Sequence, residues 1–362
     1  MDINSGARTA RAARSRGHLL MRAGGVSLAV LVAAGLAACS TSSGTSASSS
    51  AASTGAPGST DAPGSTGSKG TGKSLTIGLA SEGLSTTFSA QMVAGAKAAA
   101  AEDGAKLTVL DGKYAVSTQY GDVQDLIAAH VDGVILDPVV AGPAGDMVKL
   151  LTQAGIPVVL MHTPAGSDTD PTAVDAGVAA EVAENEVLAG AEAAKLAEQA
   201  APAGGDVGIV QGVAGTAQAT QRTSGFTSAI GSKFKIVGED PGDWTPKTGL
   251  SDCQNMLQAH PDVAVFYTES DDMATGCLQA VRQAGSSAKI VSIGGETSVK
   301  LQIQQGAIYG TVCFLPVSEG QQALSVMASI LTHKANYQQK FITYPLTPVT
   351  KSNLSACGWQ WS

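Results

Sequence analysis

The stretch that decides the fold is Gly133-Val-Ile-Leu-Asp-Pro138, a helical span over 144–155, and then Pro157-Val-Val-Leu-Met161. Both apolar runs are short and rich in β-branched residues, and neither alternates with polar positions. A strand of that kind is buried on both faces, which is the habit of a parallel sheet covered by helices. The span between them is long enough for a crossover helix, so the three pieces form one βαβ unit.

The same alternation extends in both directions. Before it come strand 75–80, helix 88–103 closed by Gly104, strand 107–110 and helix 117–130. After it comes a long helix over 179–199, then strands at 207–211, 235–238, 263–267, 289–293 and 308–314. Helices at 216–230, 247–260, 272–284, 298–305 and 318–333 fall between and after those strands, and a strand-like tail follows. So many βα units exceed one open sheet of ordinary size. The pattern predicts an α/β fold of two doubly wound parallel-sheet lobes, with a (β/α)₈ barrel as the competing topology. The length of 362 residues suits two domains. In open α/β sheets, ligands sit outside the carboxyl ends of the strands, so two facing lobes place two such rims across one cleft.

The first 73 residues read differently. Residues 1–38 carry five arginines against one acid and end in an apolar run to Leu36-Ala37-Ala38-Cys39. A basic start, a short apolar core and small residues before a cysteine are the marks of an export signal. The tetrapeptide resembles the bacterial lipobox, which implies lipidation at Cys39. The core is shorter than the roughly 20 apolar residues a membrane span needs. Residues 39–73 are nearly all Ser, Thr, Gly, Ala and Pro after the cysteine, the composition of a flexible tether. The expected location is the outer face of the cell membrane.

Charge and cysteines narrow the classes further. The chain is at −8; without residues 1–38 it holds 17 Lys and Arg against 29 Asp and Glu. No dense basic cluster lies beyond the signal, which argues against a nucleic-acid partner. Cys253, Cys277, Cys313 and Cys357 form an even set in an exported chain and suggest two disulfides. Neighbouring helices could join Cys253 to Cys277, leaving Cys313 for Cys357, although four cysteines allow three pairings. No Gly-x-Ser-x-Gly, His-Glu-x-x-His or Walker pattern is present, and His130, His260 and His333 fall on helix ends. No enzyme activity, cofactor or metal is therefore expected.

Residues 75–345 resemble the type I periplasmic sugar-binding family. The resemblance is carried by Asp122-Val-Gln-Asp-Leu-Ile-Ala-Ala, Gly133-Val-Ile-Leu-Asp-Pro, Ala154-Gly-Ile-Pro-Val-Val, Gly212-Val-Ala-Gly-Thr-Ala, Arg222-Thr-Ser-Gly-Phe, Ala259-His-Pro-Asp-Val, Ser270-Asp-Asp-Met-Ala-Thr-Gly and Leu315-Pro-Val-Ser-Glu-Gly. It implies two lobes joined by a three-strand hinge, with 74–178 and about 315–345 in the first lobe. Residues 179–314 and about 346–362 fall in the second. It also implies a monomeric protein that holds a small-molecule ligand in the cleft and delivers it to an ABC permease. A sensor that presents its ligand to a chemoreceptor or histidine kinase would use the same closure. An exported glycan-active enzyme is a third class, separated from both by turnover.

The resemblance assigns ligand positions to Phe88, Asp137, His162, Arg222, Trp244, Ser270, Glu296 and Phe314. Ser89 stands in place of a second aromatic, and His162-Thr163 in place of the acidic-basic pair of ribose binders. Thr220 competes with Arg222 for the ligand, and Asp271 reads as the cap of the helix from 272. Glu82 lies on the first loop, as rim or ligand contact. Phe88 also suits a core, His162 a strand end and Asp137 the turn before Pro138. The set keeps aromatic walls and loses several partners of ribose, so the expected ligand is another monosaccharide, a polyol or a cyclitol, or a less polar molecule.

Overall fold

A computed structural model of the chain describes residues 74–165, 170, 172–334 and 338–361. The export signal, Cys39 and the tether lie outside the described residues. In chain order the elements begin β1 (Thr76–Ser81), α1 (Thr87–Asp103), β2 (Lys106–Asp111), α2 (Val116–Ala128), β3 (Gly133–Leu136), α3 (Ala141–Gln153), β4 (Val158–Met161) and β5 (Ala180–Val182). They continue with α4 (Glu186–Ala200), β6 (Gly205–Gln211), α5 (Ala217–Ala229), β7 (Phe234–Pro241), α6 (Pro246–Ala259), β8 (Val263–Thr268), α7 (Asp271–Ala284) and β9 (Lys289–Gly294). Last are α8 (Thr297–Gln305), β10 (Gly310–Cys313), α9 (Pro316–Leu331), β11 (Lys340–Ile342) and β12 (Thr347–Thr350).

The strands form two sheets. The first runs β11-β5-β4-β3-β1-β2 and is parallel throughout. The second runs β12-β10-β9-β8-β6-β7, parallel except for the antiparallel edge strand β12. Every residue of β3 and β4 is buried. Their side chains divide by parity: Val134, Leu136, Val158 and Leu160 pack with Met147, Val148 and Leu151 of α3, whereas Ile135, Val159 and Met161 pack with α1 and α9. This is the two-sided burial that the unbroken apolar runs predict.

The chain passes between the lobes three times, at 183–185, 314–315 and 343–346. One expectation is corrected here. Residues 180–182 are not the start of a helix but β5, paired to β4 and β11, so the first lobe extends past 178. Three buried residues, Ala-Glu-Val, are too few to show a strand pattern. The helix begins only after Asn185, whose side chain accepts from the Leu188 amide at 2.9 Å.

The cysteines bond as Cys253–Cys277, joining α6 to α7, and Cys313–Cys357, joining β10 to the segment after β12. Small residues let helices touch backbone to backbone. A Cβ at Gly190 of α4 would lie 2.1 Å from the Arg222 carbonyl oxygen of α5, and one at Gly225 of α5 would lie 2.0 Å from the Val187 carbonyl oxygen of α4. Gly190→Ala therefore forces the two helices apart, at about 1–3 kcal/mol. Gly121→Ala in α2 meets nothing within 4 Å, and removing a helical glycine stabilises by about 0.5–1 kcal/mol. Thermal denaturation should show a Tm several degrees below wild type for the first and slightly above it for the second. Equal melting of the two would contradict the close approach.

Candidate functional site

The residues at the carboxyl ends of the strands converge between the lobes. The Phe88 ring lies 5.0 Å from His162 and 6.3 Å from Phe314, centroid to centroid. The Arg222 guanidinium lies 4.9 Å from the Phe314 ring and 5.5 Å from the Trp244 ring. Phe88 and His162 come from the first lobe, Arg222 and Trp244 from the second, with Phe314 at a crossing. His162 and Trp244 both hold φ of +64°, a region costly for residues with a Cβ and frequent at functional sites. A Cβ at Gly212 would strike the Trp244 ring at 1.8 Å, so only glycine leaves room for that ring. The lobes also meet directly, Gln218 Nε2 of α5 donating to Thr163 Oγ1 after β4 at 2.6 Å.

Asp137 is fully buried at the end of β3. Gln119, also buried, holds its turn by donating to the Asp137 carbonyl at 2.6 Å and accepting from the Val139 amide at 3.0 Å. The Glu82 amide donates to Asp137 Oδ2 at 3.4 Å, and Oδ1 has no protein partner. Glu82 itself accepts from Ser89 Oγ at 2.6 Å, so the residue in the second aromatic place serves a carboxylate.

The first crossing carries two acids that sequence reasoning missed. Glu184 Oε2 meets His162 Nδ1 at 3.0 Å, and its other oxygen accepts from the Tyr344 hydroxyl of the third crossing. That hydroxyl in turn accepts from the Leu315 amide of the second crossing at 3.1 Å. All three crossings are thus tied at one point. Glu186 takes Arg222 in a bidentate pair, Nε and Nη2 each at 2.6 Å, while Nη1 donates to the Glu269 carbonyl at 2.8 Å. Three of five guanidinium donors are therefore spent within the protein. Thr220 is exposed and its hydroxyl donates to the Thr216 carbonyl at 2.9 Å. His162, Glu184 and Glu186 lie close enough to share a metal ion. The oxygens of Glu184 and Glu186 are already committed to His162, Tyr344 and Arg222.

Ser270, not Asp271, holds the capping position. Ser270 caps α7, accepting from the Met273 amide at 3.2 Å. Asp271 is the first helical residue, fully buried, and accepts from Ser292 Oγ at 2.5 Å, the Gly295 amide at 2.6 Å, the Glu296 amide at 2.9 Å and Thr311 Oγ1 at 2.8 Å. It shapes the turn that presents Glu296, whose Oε2 accepts from Ser298 at 2.9 Å and whose Oε1 is buried without a protein partner.

Residues 77–335 match the family model described as periplasmic binding protein domain. The chain belongs to this family. It is 30% identical over 258 residues to the ribose import binding protein of Salmonella typhimurium, covering 71% of this chain and 84% of that one. The Bacillus subtilis ribose import binding protein is 28% identical over 274 residues, covering 76% and 87%. An ABC transporter solute-binding protein from Mycobacterium smegmatis, solved with bound glycerol, superposes with a TM-score of 0.71 at 28% identity, over 78% of this chain and 96% of that one. Both lobes of the periplasmic binding protein fold are therefore present.

Within this family member the cleft is lined by buried acidic groups. Burial opposes the charge on His162, but Glu184, Glu82 and Asp137 outweigh it and raise the imidazolium to about 9. Burial also works against Glu184, yet His162 and Tyr344 bring it down to about 2. Burial pushes Glu269 up to about 7 and Glu296 to about 8, the latter helped by Asp271 and Asp272. Asp137 and Glu319 rise well above the carboxylate range, through burial first and then neighbouring charge.

These shifts set a pH dependence. The His162 contribution is complete below its ordinary 6.5 and is lost as pH rises through about 9. The Glu184 contribution is complete above 4.5 and is lost as pH falls through about 2. Glu269 and Glu296 hold protons that the unfolded chain releases near 4.5, so they too lower stability as pH climbs to about 8. The Tm should peak at about pH 5 and fall steadily to about pH 9 in calorimetry; a Tm that rises from pH 5 to 8 would contradict the assignment.

Proposed function

We propose that this protein is the substrate-binding component of an ABC importer. It captures a small polyhydroxylated ligand, a monosaccharide, polyol or cyclitol, between its lobes and closes on it about the three crossings. The observation that carries this reading is the pairing of ring walls with buried carboxyl oxygens. Phe88, Trp244 and Phe314 supply the walls. Asp137 Oδ1 and Glu296 Oε1 are buried carboxyl oxygens without protein partners. Burying an unsatisfied polar group costs about 1–3 kcal/mol, and ligand hydroxyls, which both donate and accept, remove that cost. The apolar C–H faces of a sugar or cyclitol ring suit the aromatic walls.

Ribose itself fits poorly, because His162 is committed to Glu184 and Arg222 to Glu186. The names of the relatives, ribose import binding proteins and a solute-binding protein holding glycerol, support a small polyhydroxylated ligand. The role is capture without turnover. Residues 1–38 act as an export signal and Cys39 as the lipid-bearing residue, with 40–73 tethering a monomeric folded region to the outer face of the cell membrane. Presentation to a sensor instead of a permease would use the same cleft; a permease and ATPase pair encoded beside this chain would favour import, a lone kinase sensing.

A thermal-shift panel tests the reading. D-ribose, D-allose, L-arabinose, D-glucose, myo-inositol and glycerol form the positive set, with amino acids and aromatic acids as the other. At least one polyol other than ribose should raise the Tm, because ligand at 100 times its Kd adds about 2.7 kcal/mol. Stabilisation by the second set alone would overturn the proposal.

A further inference from the structure

The segment after β12 returns to the cleft. Cys357 is bonded to Cys313, which directly precedes Phe314. Trp359 donates from Nε1 to the Leu354 carbonyl at 2.7 Å, and Lys300 Nζ lies 5.5 Å from its ring. Gln360 then reaches the start of α9 in the first lobe, accepting from the Ser318 amide at 3.2 Å and donating to Ser318 Oγ at 2.7 Å. Trp361 turns back to the second lobe. It pairs with Glu296 in a parallel bridge, and its carbonyl accepts from the Thr297 amide at 2.8 Å and Thr297 Oγ1 at 2.9 Å. Successive residues therefore hold opposite lobes at the edge of the cleft.

The Trp361 indole is only 6% exposed and meets Phe88 edge-on, 5.4 Å between centroids at 80°. Phe88 is the ring that also touches His162 and Phe314. The indole N–H is buried with no protein partner, as is Oε1 of Glu296, its partner in the bridge. A buried tryptophan ordinarily finds an acceptor for that N–H. An unpaired N–H of Trp361 and an unpaired carboxyl oxygen of its bridge partner Glu296 are thus both buried here, and the indole lies against the ring at the centre of the site.

We propose that Trp361 is a ligand-contacting wall of the cleft, offering an aromatic face and one N–H donor to a hydroxyl-bearing ring, and that the Cys313–Cys357 bond holds it there. The proposal rests on the polyol reading above and adds a specificity element from outside the two sheets. An indole face selects the apolar side of a ring, and the N–H selects a ring oxygen or hydroxyl beside it.

The test uses the full chain and isothermal titration with D-ribose, D-allose, L-arabinose, D-glucose, myo-inositol and glycerol. For the probe that binds wild type most tightly, Trp361→Ala should weaken binding at least about tenfold, the scale of about 1.4 kcal/mol for a lost contact. Trp361→Phe keeps a ring without the N–H and should fall between the two. The double change of Cys313 and Cys357 to Ser should weaken binding in the same direction. Near-ultraviolet circular dichroism of each unliganded variant verifies folding, and the Phe variant serves if the Ala variant does not fold. An affinity unchanged within about threefold would overturn the proposal and leave Trp361 a packing residue. Tighter binding by Trp361→Ala would overturn it in favour of a plug that ligand must displace. If none of the six binds wild type, the polyol reading falls and the wall with it.

Discussion

The fold turns on Glu184-Asn185-Glu186, the crossing that leaves β5 and enters α4. In extended backbone, residues two apart share a face. Glu184 and Glu186 face the same side of the crossing, where Glu184 meets His162 of the first lobe and Glu186 meets Arg222 of the second. Asn185, between them, starts the helix. Each acid faces a buried cation, and removing one member of such a pair costs roughly 3–5 kcal/mol because the other stays buried and uncompensated. The crossing is thus pinned at both ends, and Tyr344 and Leu315 tie the other two crossings to the same carboxylate.

The rest of the site is arranged around that spine. Arg222 reaches Glu186 only because α4 and α5 pack with glycine against backbone at Gly190 and Gly225. Once paired, its flat guanidinium forms a base for Trp244 and Phe314. His162, held charged by Glu184, lies under Phe88. A chain with six phenylalanines and three tryptophans places Phe88, Phe314, Trp244 and Trp361 at one cleft. The helices are left to alanine and glycine, which explains an apolar composition poor in rings.

Much of this was legible beforehand, for physical reasons. Strands buried on both faces print as unbroken apolar runs, so β3 and β4 stand out, and the rims at their carboxyl ends follow from the topology. β5 did not stand out, because its three residues include a charge and precede a helical pattern with no break; Asn185 was the available sign. The roles of Ser270 and Asp271 depend on the turn at Gly294 and Gly295, whose φ of +159° and +105° turns amides toward the carboxylate. No periodicity announces that. Trp361 carries no local motif at all, since its place follows from a disulfide and from partners far away in the chain. Ligand identity stays in the pattern of unpaired carboxyl oxygens rather than in any short motif.

The most direct measurement is the titration of His162, followed by nuclear magnetic resonance in protein with labelled histidine. The account predicts an imidazolium that persists past neutrality and deprotonates near 9, and a Glu184→Gln variant in which it drops toward or below the ordinary 6.5. A His162 that is neutral at pH 7 in the folded wild-type protein would contradict the buried pair on which the crossing, the cleft and its closure depend.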